Sequence, residues 1–145
     1  GNNVANSLIL CGSLLGVEVR IACPNGYEPP FSIVEKANLL NRSNIKIFNE
    51  PKEAVQGANV IYTDVWSSMG QELEMKEKDK YFKGFTLNKY LVDLANQDVI
   101  ILHCLPAYRG KEITDDVLES ANSRIFDQAE NRMHVQQALL AYLLS

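Results

Sequence analysis

The most unusual polar run in the sequence follows an apolar segment, residues 59–63, that is typical of a strand. Asp64 comes directly after it, and a carboxylate at a strand end can pair with a substrate ammonium. The hydroxyls of Ser67 and Ser68 follow, and Gly70 would let the loop fold over a ligand. The large apolar side chains of Trp66 and Met69 are ones that a closing lid could use. An Asx turn with Trp66 buried in the core explains Asp64 alone, but not the whole run.

A second candidate site is the stretch His103-Cys104-Leu105-Pro106, which ends the apolar run 99–102. Cys104 could be a thiolate in a cleft if positive groups surround it, or a small buried apolar residue. The Leu105 carbonyl could lie in the same cleft, and the bond between Leu105 and Pro106 could be cis. We expect no Cys–His nucleophile pair, since neighbours in a strand point to opposite faces. We expect no zinc site, because no other cysteine or histidine pair has ligand spacing.

Two predicted helix starts supply further polar groups. The chain opens with GNNVANS, where the amide of Asn3 and backbone N–H groups could bind an anion or a carboxylate, although asparagine is also an ordinary N-cap residue. The last helix is predicted to open with ENRMH at 130–134, and Arg132 could direct its planar guanidinium at a phosphate or carboxylate. A surface ion pair with Glu130 or Asp127 is the simpler interpretation of Arg132.

The apolar periodicity predicts alternating helices and strands. The predicted helices are 4–15, 30–42, 51–56, 77–82, 87–95, 114–120 and 129–144, and the predicted strands are 17–23, 45–48, 59–63, 99–102 and 124–126. This order predicts a three-layer, Rossmann-like α/β domain with a mainly parallel sheet and helices on both faces. Sites in such sheets lie outside the carboxyl ends of the strands, so we expect the candidate residues to cluster there, namely Asn3, Asp64, Cys104 and Arg132.

Composition limits the class of protein. The 145 residues fit one domain, and 46% hydrophobic with 22% charged residues indicates a folded core. The net charge of −4, with acids and bases interspersed, argues against nucleic acid as a partner. No apolar run approaches the roughly 20 residues of a membrane span. Three widely spaced cysteines favour a reducing, cytoplasmic compartment. The chain opens without an initiator Met and with no strand before its first helix, so we expect a fragment of a longer protein.

Four stretches, in this order, resemble the C-terminal domain of the ornithine carbamoyltransferases: GNNVANS at 1–7, DVWSSMG at 64–70, HCLP at 103–106 and ENRMH at 130–134. The resemblance covers the whole chain, and the Ser-Met-Gly loop is its most specific part. Aspartate carbamoyltransferases lack that loop and have a histidine–proline pair where this chain has a histidine–cysteine pair. The resemblance implies an enzyme that joins carbamoyl phosphate to the δ-amine of ornithine, giving citrulline and phosphate, as in arginine biosynthesis and the urea cycle. It also implies a homotrimer and neither a metal nor an organic cofactor.

The resemblance implies a role for each candidate residue on the ornithine side. Asn3 would hold the carboxylate end of ornithine, and Asp64 would bind its α-ammonium. Ser68 and Met69 would complete the grip on this substrate.

On the carbamoyl side, the resemblance places Cys104 between the ornithine and carbamoyl groups. The Leu105 carbonyl would accept a hydrogen bond from the carbamoyl NH₂, and Arg132 would contact carbamoyl phosphate. Cys104, Asp64 and Arg132 are the catalytic residues under this interpretation.

The family's phosphate-binding Ser-x-Arg-Thr loop and His-Pro-x-Gln segment belong to its other domain, and this sequence lacks both. We therefore expect residues 1–145 to be the ornithine-binding domain, with the carbamoyl-phosphate domain outside this chain, and the isolated chain to be inactive. A carbamoyltransferase for putrescine or N-acetylornithine is one alternative, and a non-catalytic, Rossmann-like module that binds an amino acid or nucleotide is another. A dinucleotide site is disfavoured, because there is no GxGxxG and strand 17–23 has no acid after it for a ribose.

Overall fold

A computed structural model describes residues 2–40, 44–67 and 78–145 of the chain. The chain divides into two compact units, Gly1–Gln56 and Gly57–Ser145. Each unit contains one pair of parallel strands together with helices that alternate with them along the chain. The predicted α/β class with parallel strand pairing is therefore confirmed.

The first unit alternates three helices with two strands: α1 (Asn3–Leu15), β1 (Val19–Ala22), α2 (Phe31–Leu39), β2 (Ile45–Phe48) and α3 (Pro51–Val55). The strands β1 and β2 are parallel, in a register that runs from Val19 opposite Ile45 to Ala22 opposite Phe48. Parallel neighbours require a crossover connection, and α2 lies in it.

The boundaries and packing of α1 follow from local chemistry. The Asn2 side chain caps the helix, since its Oδ1 accepts a hydrogen bond from the Ala5 N–H at 2.8 Å. The helix ends at Gly16, which takes the left-handed conformation with φ of 73°. A Cβ on Gly12 would come within 2.5 Å of Cγ2 of Val19, so the close approach of α1 to β1 requires a glycine there.

The second unit contains β3 (Val60–Thr63), α4 (Lys89–Asp93), β4 (Ile100–His103), α5 (Asp115–Leu118) and α6 (Ile125–Leu144), and residues 78–81 are also helical. The strands β3 and β4 are parallel, and Thr63 lies opposite His103 at the end of the register. The most deeply buried side chains of this unit are Ile101, Ile113, Ile125, His103, Glu112 and Val99.

Two predicted elements are corrected by the structure. The strand predicted at 124–126 is wrong, because Ile125 begins α6 and the backbone pairing with Ile101 falls at residues 122–124. The helix predicted at 87–95 is shorter, Lys89–Asp93, because the Leu87 backbone instead pairs with the segment around Ile113. Residue 42, the predicted end of the second helix, and residue 77, the predicted start of the fourth, lie outside the described residues.

The predicted apolar face of the last helix is present, but the described residues leave it largely uncovered. Its members are 54% to 79% exposed at Val135, Leu139, Tyr142 and Leu143. None of the helices in the described part of the chain has the length and apolar character that a membrane crossing requires.

The start of α6 gives a test of the corrected boundary. Ile125 is fully buried and Phe126 is 59% exposed. We expect Ile125→Ala to lower the free energy of unfolding of the chain by about 2–5 kcal/mol, because it leaves a cavity in the core. The matched variant Phe126→Ala should cost less than about 1 kcal/mol. Urea denaturation followed by circular dichroism measures both, and equal losses would show that the helix start is placed wrongly.

Candidate functional site

The parallel register of β3 and β4 brings Asp64 and Cys104 together. Each is the residue that follows a strand end, and those ends, Thr63 and His103, lie opposite each other. The Cys104 thiol donates a hydrogen bond to Oδ1 of Asp64 at 2.9 Å, and the same oxygen accepts the Val65 N–H at 2.8 Å. The predicted meeting of these two side chains at the carboxyl ends of the strands is therefore confirmed.

The Cys104 side chain is half-buried, and its surroundings keep it protonated. Burial first, and then the hydrogen bond to the Asp64 carboxylate, raise the pKa of Cys104 to about 11. The condition for a thiolate was a surrounding of positive groups, and the group that this thiol contacts is a carboxylate instead. That condition is not met, so a thiolate is not the state that this arrangement favours at neutral pH, and Cys104 is a hydrogen-bonding thiol.

Tyr62 and Gln128 extend this network, and sequence reasoning gave neither a role. Nε2 of Gln128 donates to the Tyr62 hydroxyl at 3.0 Å, and Oε1 of Gln128 accepts the backbone N–H of His103 at 3.0 Å. Burial and the neighbouring Cys104 raise the pKa of Tyr62 to about 12, so its hydroxyl stays protonated. The period-two alternation of a strand places Tyr62 on the face of Asp64 and could have indicated it. No local pattern indicates Gln128, which lies 66 residues from Tyr62.

Cys104 also lines a cavity of about 740 Å³ in the second unit. Its polar lining includes Tyr62, Arg124, Gln128, Asn131 and Arg132. A volume of this size falls within the range of small-molecule sites, which is roughly 300–1,000 Å³. The cavity brings an exposed guanidinium and the thiol to one surface.

The predicted ion-pair partners of Arg132 are engaged with other groups. Asp127 approaches Arg124 at 4.0 Å, and Glu130 accepts a hydrogen bond from His134 at 3.1 Å. Arg132 does not stand at the start of the last helix as predicted, because that helix begins at Ile125. Arg132 therefore lines the cavity about two turns into the helix, whereas Arg124, the N-cap residue, lines the same cavity at the helix start.

His103 forms a buried pair with Glu112, at 3.2 Å between Nε2 and Oε1. Its other ring nitrogen, Nδ1, accepts the backbone N–H of Leu105 at 2.8 Å. Leu105 has φ of 56°, and its bond to Pro106 is cis. Glu112 was not singled out from the sequence, where nothing distinguishes it from a surface acid.

The donor atoms of Asp64, His103 and Cys104 lie within 4.8 Å of one another, which raises the question of a metal. Both ring nitrogens of His103 already have partners, and the thiol is committed to Asp64. These residues therefore do not fit a metal ion. They do not form a Cys–His nucleophile pair either, although the predicted reason was wrong. Cys104 lies beyond the strand end, so strand alternation does not separate it from His103.

The remaining predicted residues are distributed as follows. Asn3 is the exposed first residue of α1 in the first unit, whereas Asp64, Cys104, Leu105 and Arg132 belong to the second. Ser68 and Met69 lie outside the described residues. Trp66, two residues before Ser68 in the sequence, stacks on Phe82 with 5.7 Å between ring centroids. This contact packs the Trp66 ring within the second unit.

Residues 1–143 match the family described as Aspartate/ornithine carbamoyltransferase, Asp/Orn binding domain. The chain belongs to this family. An ornithine carbamoyltransferase of Prochlorococcus marinus (strain MIT 9312) is 69% identical over an alignment of 147 positions that covers all of this chain and 48% of the relative.

Solved structures of related proteins show the same fold. The ornithine carbamoyltransferase from Pyrococcus furiosus is 49% identical with a TM-score of 0.89, covering 97% of this chain and 46% of that one. The anabolic ornithine carbamoyltransferase from Campylobacter jejuni is 40% identical with a TM-score of 0.91, covering 98% and 48%. The chain has the Rossmann-like α/β fold of these enzymes and spans about half the length of the relatives it matches.

The hydrogen bond between Cys104 and Asp64 predicts how the thiol reacts. Asp64→Asn keeps an acceptor of the same shape and removes the negative charge, so the pKa of Cys104 should fall from about 11. Each unit of that fall raises the thiolate fraction about tenfold at pH 8. We expect faster alkylation of Cys104 by iodoacetamide, measured by mass spectrometry of its peptide.

Two references accompany this measurement. Exposed Cys11 reports the activity of the reagent, and Asp93→Asn removes an exposed carboxylate that pairs with Lys89 outside the site. Alkylation of Cys104 that is slower in Asp64→Asn than in the parent chain would contradict the assigned cause of the raised pKa.

Proposed function

We propose that this chain is the ornithine-binding half of an ornithine carbamoyltransferase. The whole enzyme transfers the carbamoyl group of carbamoyl phosphate to the δ-amine of L-ornithine and releases L-citrulline and phosphate. The observation that carries the proposal is the position of Cys104, which donates a hydrogen bond to Asp64 and also lines the cavity of Arg132. One thiol thus connects a carboxylate suited to an ammonium with a cation suited to a phosphate.

The ornithine side of the proposed site is anionic. Asp64 binds the α-ammonium, and Asn3 holds the carboxylate end of ornithine. Ser68 and Met69 complete this grip, as the family resemblance implies. An Asp64 carboxylate favours ornithine over N-acetylornithine, whose α-nitrogen is acylated and uncharged. Recognition of the carboxylate by Asn3 favours ornithine over putrescine, which has none.

The carbamoyl side of the proposed site supplies positive charge and hydrogen bonds. Arg132 contacts carbamoyl phosphate and meets the charge that develops on the leaving phosphate. The Leu105 carbonyl accepts a hydrogen bond from the carbamoyl NH₂ and so orients the reacting carbon. Fixing the two substrates in one cleft accounts for much of the remaining rate enhancement.

The reaction needs a neutral δ-amine, because its lone pair forms the new C–N bond. The bond between the carbamoyl carbon and the phosphate oxygen then breaks, its electron pair leaves with the phosphate, and the proton lost by the amine passes to that phosphate or to water. With a pKa of about 11, Cys104 is a neutral thiol near pH 7. A thiolate beside the amine would stabilise its ammonium form by charge, whereas a thiol does not. The protonated Cys104 therefore adds no charge that would oppose loss of the amine proton.

The rest of the enzyme follows from the same likeness. We infer that a carbamoyl-phosphate domain precedes this chain in the whole protein and supplies the remaining phosphate contacts. We further infer a cytoplasmic homotrimer that needs neither a metal nor an organic cofactor. The three free thiols of the chain, Cys11, Cys23 and Cys104, support a reducing compartment.

The role of Asp64 predicts a selective loss of ornithine binding. In the whole enzyme, Asp64→Asn should weaken ornithine binding by about 2–5 kcal/mol, because it removes one charge of a desolvated ion pair. Carbamoyl phosphate binding should change far less. Calorimetric titration of each substrate tests this, with Asp93→Asn as the control. Equal losses for both substrates would assign Asp64 a structural role.

The division of the site between two domains predicts that the 145-residue chain alone makes no citrulline. A compact anion needs several donors, and an open cleft admits water that screens them. Citrulline should form when the carbamoyl-phosphate domain is supplied, and putrescine and N-acetylornithine should be poor substrates in that mixture. Turnover by the chain alone at the rate of an intact relative would show that the second domain is dispensable.

A further inference from the structure

The buried pair of His103 and Glu112 does no chemistry in the proposed reaction, yet both side chains are 1% exposed. Burial of a carboxylate is costly unless it is hydrogen-bonded, so the pair must be held by specific partners. Oε1 of Glu112 accepts both the His103 ring and the backbone N–H of Tyr108, at 3.2 Å and 2.5 Å. One carboxylate oxygen thus joins the two ends of the segment 103–108.

The His103 ring connects Glu112 to the backbone of Leu105, which lies between those two ends. Nδ1 accepts the Leu105 N–H at 2.8 Å, so Nδ1 carries no proton. Nε2 then carries the ring proton and donates it to Glu112. The ring is therefore the neutral Nε2–H tautomer, with an acceptor on one side and a donor on the other. The hydrogen bond from Leu105 sets the distance between that backbone and the ring.

Leu105 needs such an anchor because of its backbone conformation. Its φ of 56° lies in the left-handed region, which side chains other than glycine adopt only when their surroundings enforce it. Glu112 is itself fixed, since its carbonyl accepts the Leu87 N–H at 2.9 Å. The backbone of His103 is fixed as well as its ring, because its N–H donates a hydrogen bond to Oε1 of Gln128.

We propose that His103 and Glu112 are positioning residues that fix the Leu105 backbone, and with it the Cys104 thiol and the Leu105 carbonyl. The inference rests on the proposed function, because it is that reaction which uses the thiol and the carbonyl. Neither His103 nor Glu112 needs to touch a substrate for this role.

The kinetic test uses the whole enzyme and graded variants. His103→Leu removes both ring bonds. His103→Asn keeps the local one, because an asparagine oxygen accepts the N–H two residues on. We expect His103→Leu to lower kcat for citrulline by about 100-fold, with a much smaller change in the KM for ornithine, since a displaced reacting group costs rate more than binding. His103→Asn should recover at least about a tenth of the wild-type kcat.

Glu112 is tested with a matched pair of variants, one amide and one aliphatic. Glu112→Gln keeps an oxygen that can accept hydrogen bonds from His103 and Tyr108. These bonds lose their charge but remain formed, so kcat should stay within about threefold of wild type. Glu112→Leu should reproduce His103→Leu. Glu119→Gln, at an exposed carboxylate paired with Arg109, is the control. A His103→Leu enzyme with wild-type kcat, or losses that neither Asn nor Gln restores, would overturn the proposal.

A spectroscopic measurement keeps the proposal testable even if the leucine variants do not fold. The chain has two histidines, so ¹⁵N-labelled histidine gives two sets of ring signals, and His134→Gln assigns them. We expect His103 to be the Nε2–H tautomer with a ring proton protected from solvent exchange. An Nδ1–H tautomer would overturn the positioning role. If the wild-type enzyme made no citrulline, the proposed function would be wrong, but the tautomer measured for His103 would be unaffected.

Discussion

The register of β3 against β4 is the constraint on which the site depends. It sets Thr63 opposite His103, so the next residue on each strand, Asp64 and Cys104, emerges at the same edge. A shift by one residue would turn every side chain of one strand to its other face. The buried residues of β4, Ile101 and His103, would then lose their core positions. Packing of the strand interior therefore determines which two side chains meet outside it.

Two carboxylates near this edge have different tasks because their burial differs. Asp64 is half-buried beyond the end of β3 and accepts the Cys104 thiol, which raises the pKa of that cysteine. Glu112 is buried in the interior, where a carboxylate is tolerated only with hydrogen-bond donors around it. Its partners are the His103 ring and the Tyr108 backbone. The half-buried Asp64 remains accessible to a ligand, whereas the interior Glu112 stabilises the fold.

Sequence reasoning found those features that local patterns encode. Strand 45–48 was predicted to the residue, because apolar side chains alternate between clear turn signals. The meeting of Asp64 with Cys104 followed from the rule that parallel strands end at one edge. Gln128 and Glu112 were missed because their partners are set by tertiary packing. The strand predicted at 124–126 was wrong for the same reason. Ile125 is β-branched, but its burial as the first residue of α6 overrides that preference.

The corrected start of α6 also separates Arg132 from the helix N-terminus, although Arg124 at that N-terminus lines the same cavity. A helix that began at residue 129 would place Arg132 in the first turn, where the partial charge of the helix dipole adds to the guanidinium. Because α6 begins at Ile125, Arg132 lies seven residues further, about 10 Å along the axis. The dipole effect falls off within the first turn. The charge that Arg132 offers to an anion is therefore its own. A planar guanidinium can form two parallel hydrogen bonds to one anion, so the proposed contact of Arg132 with a phosphate does not depend on the helix end.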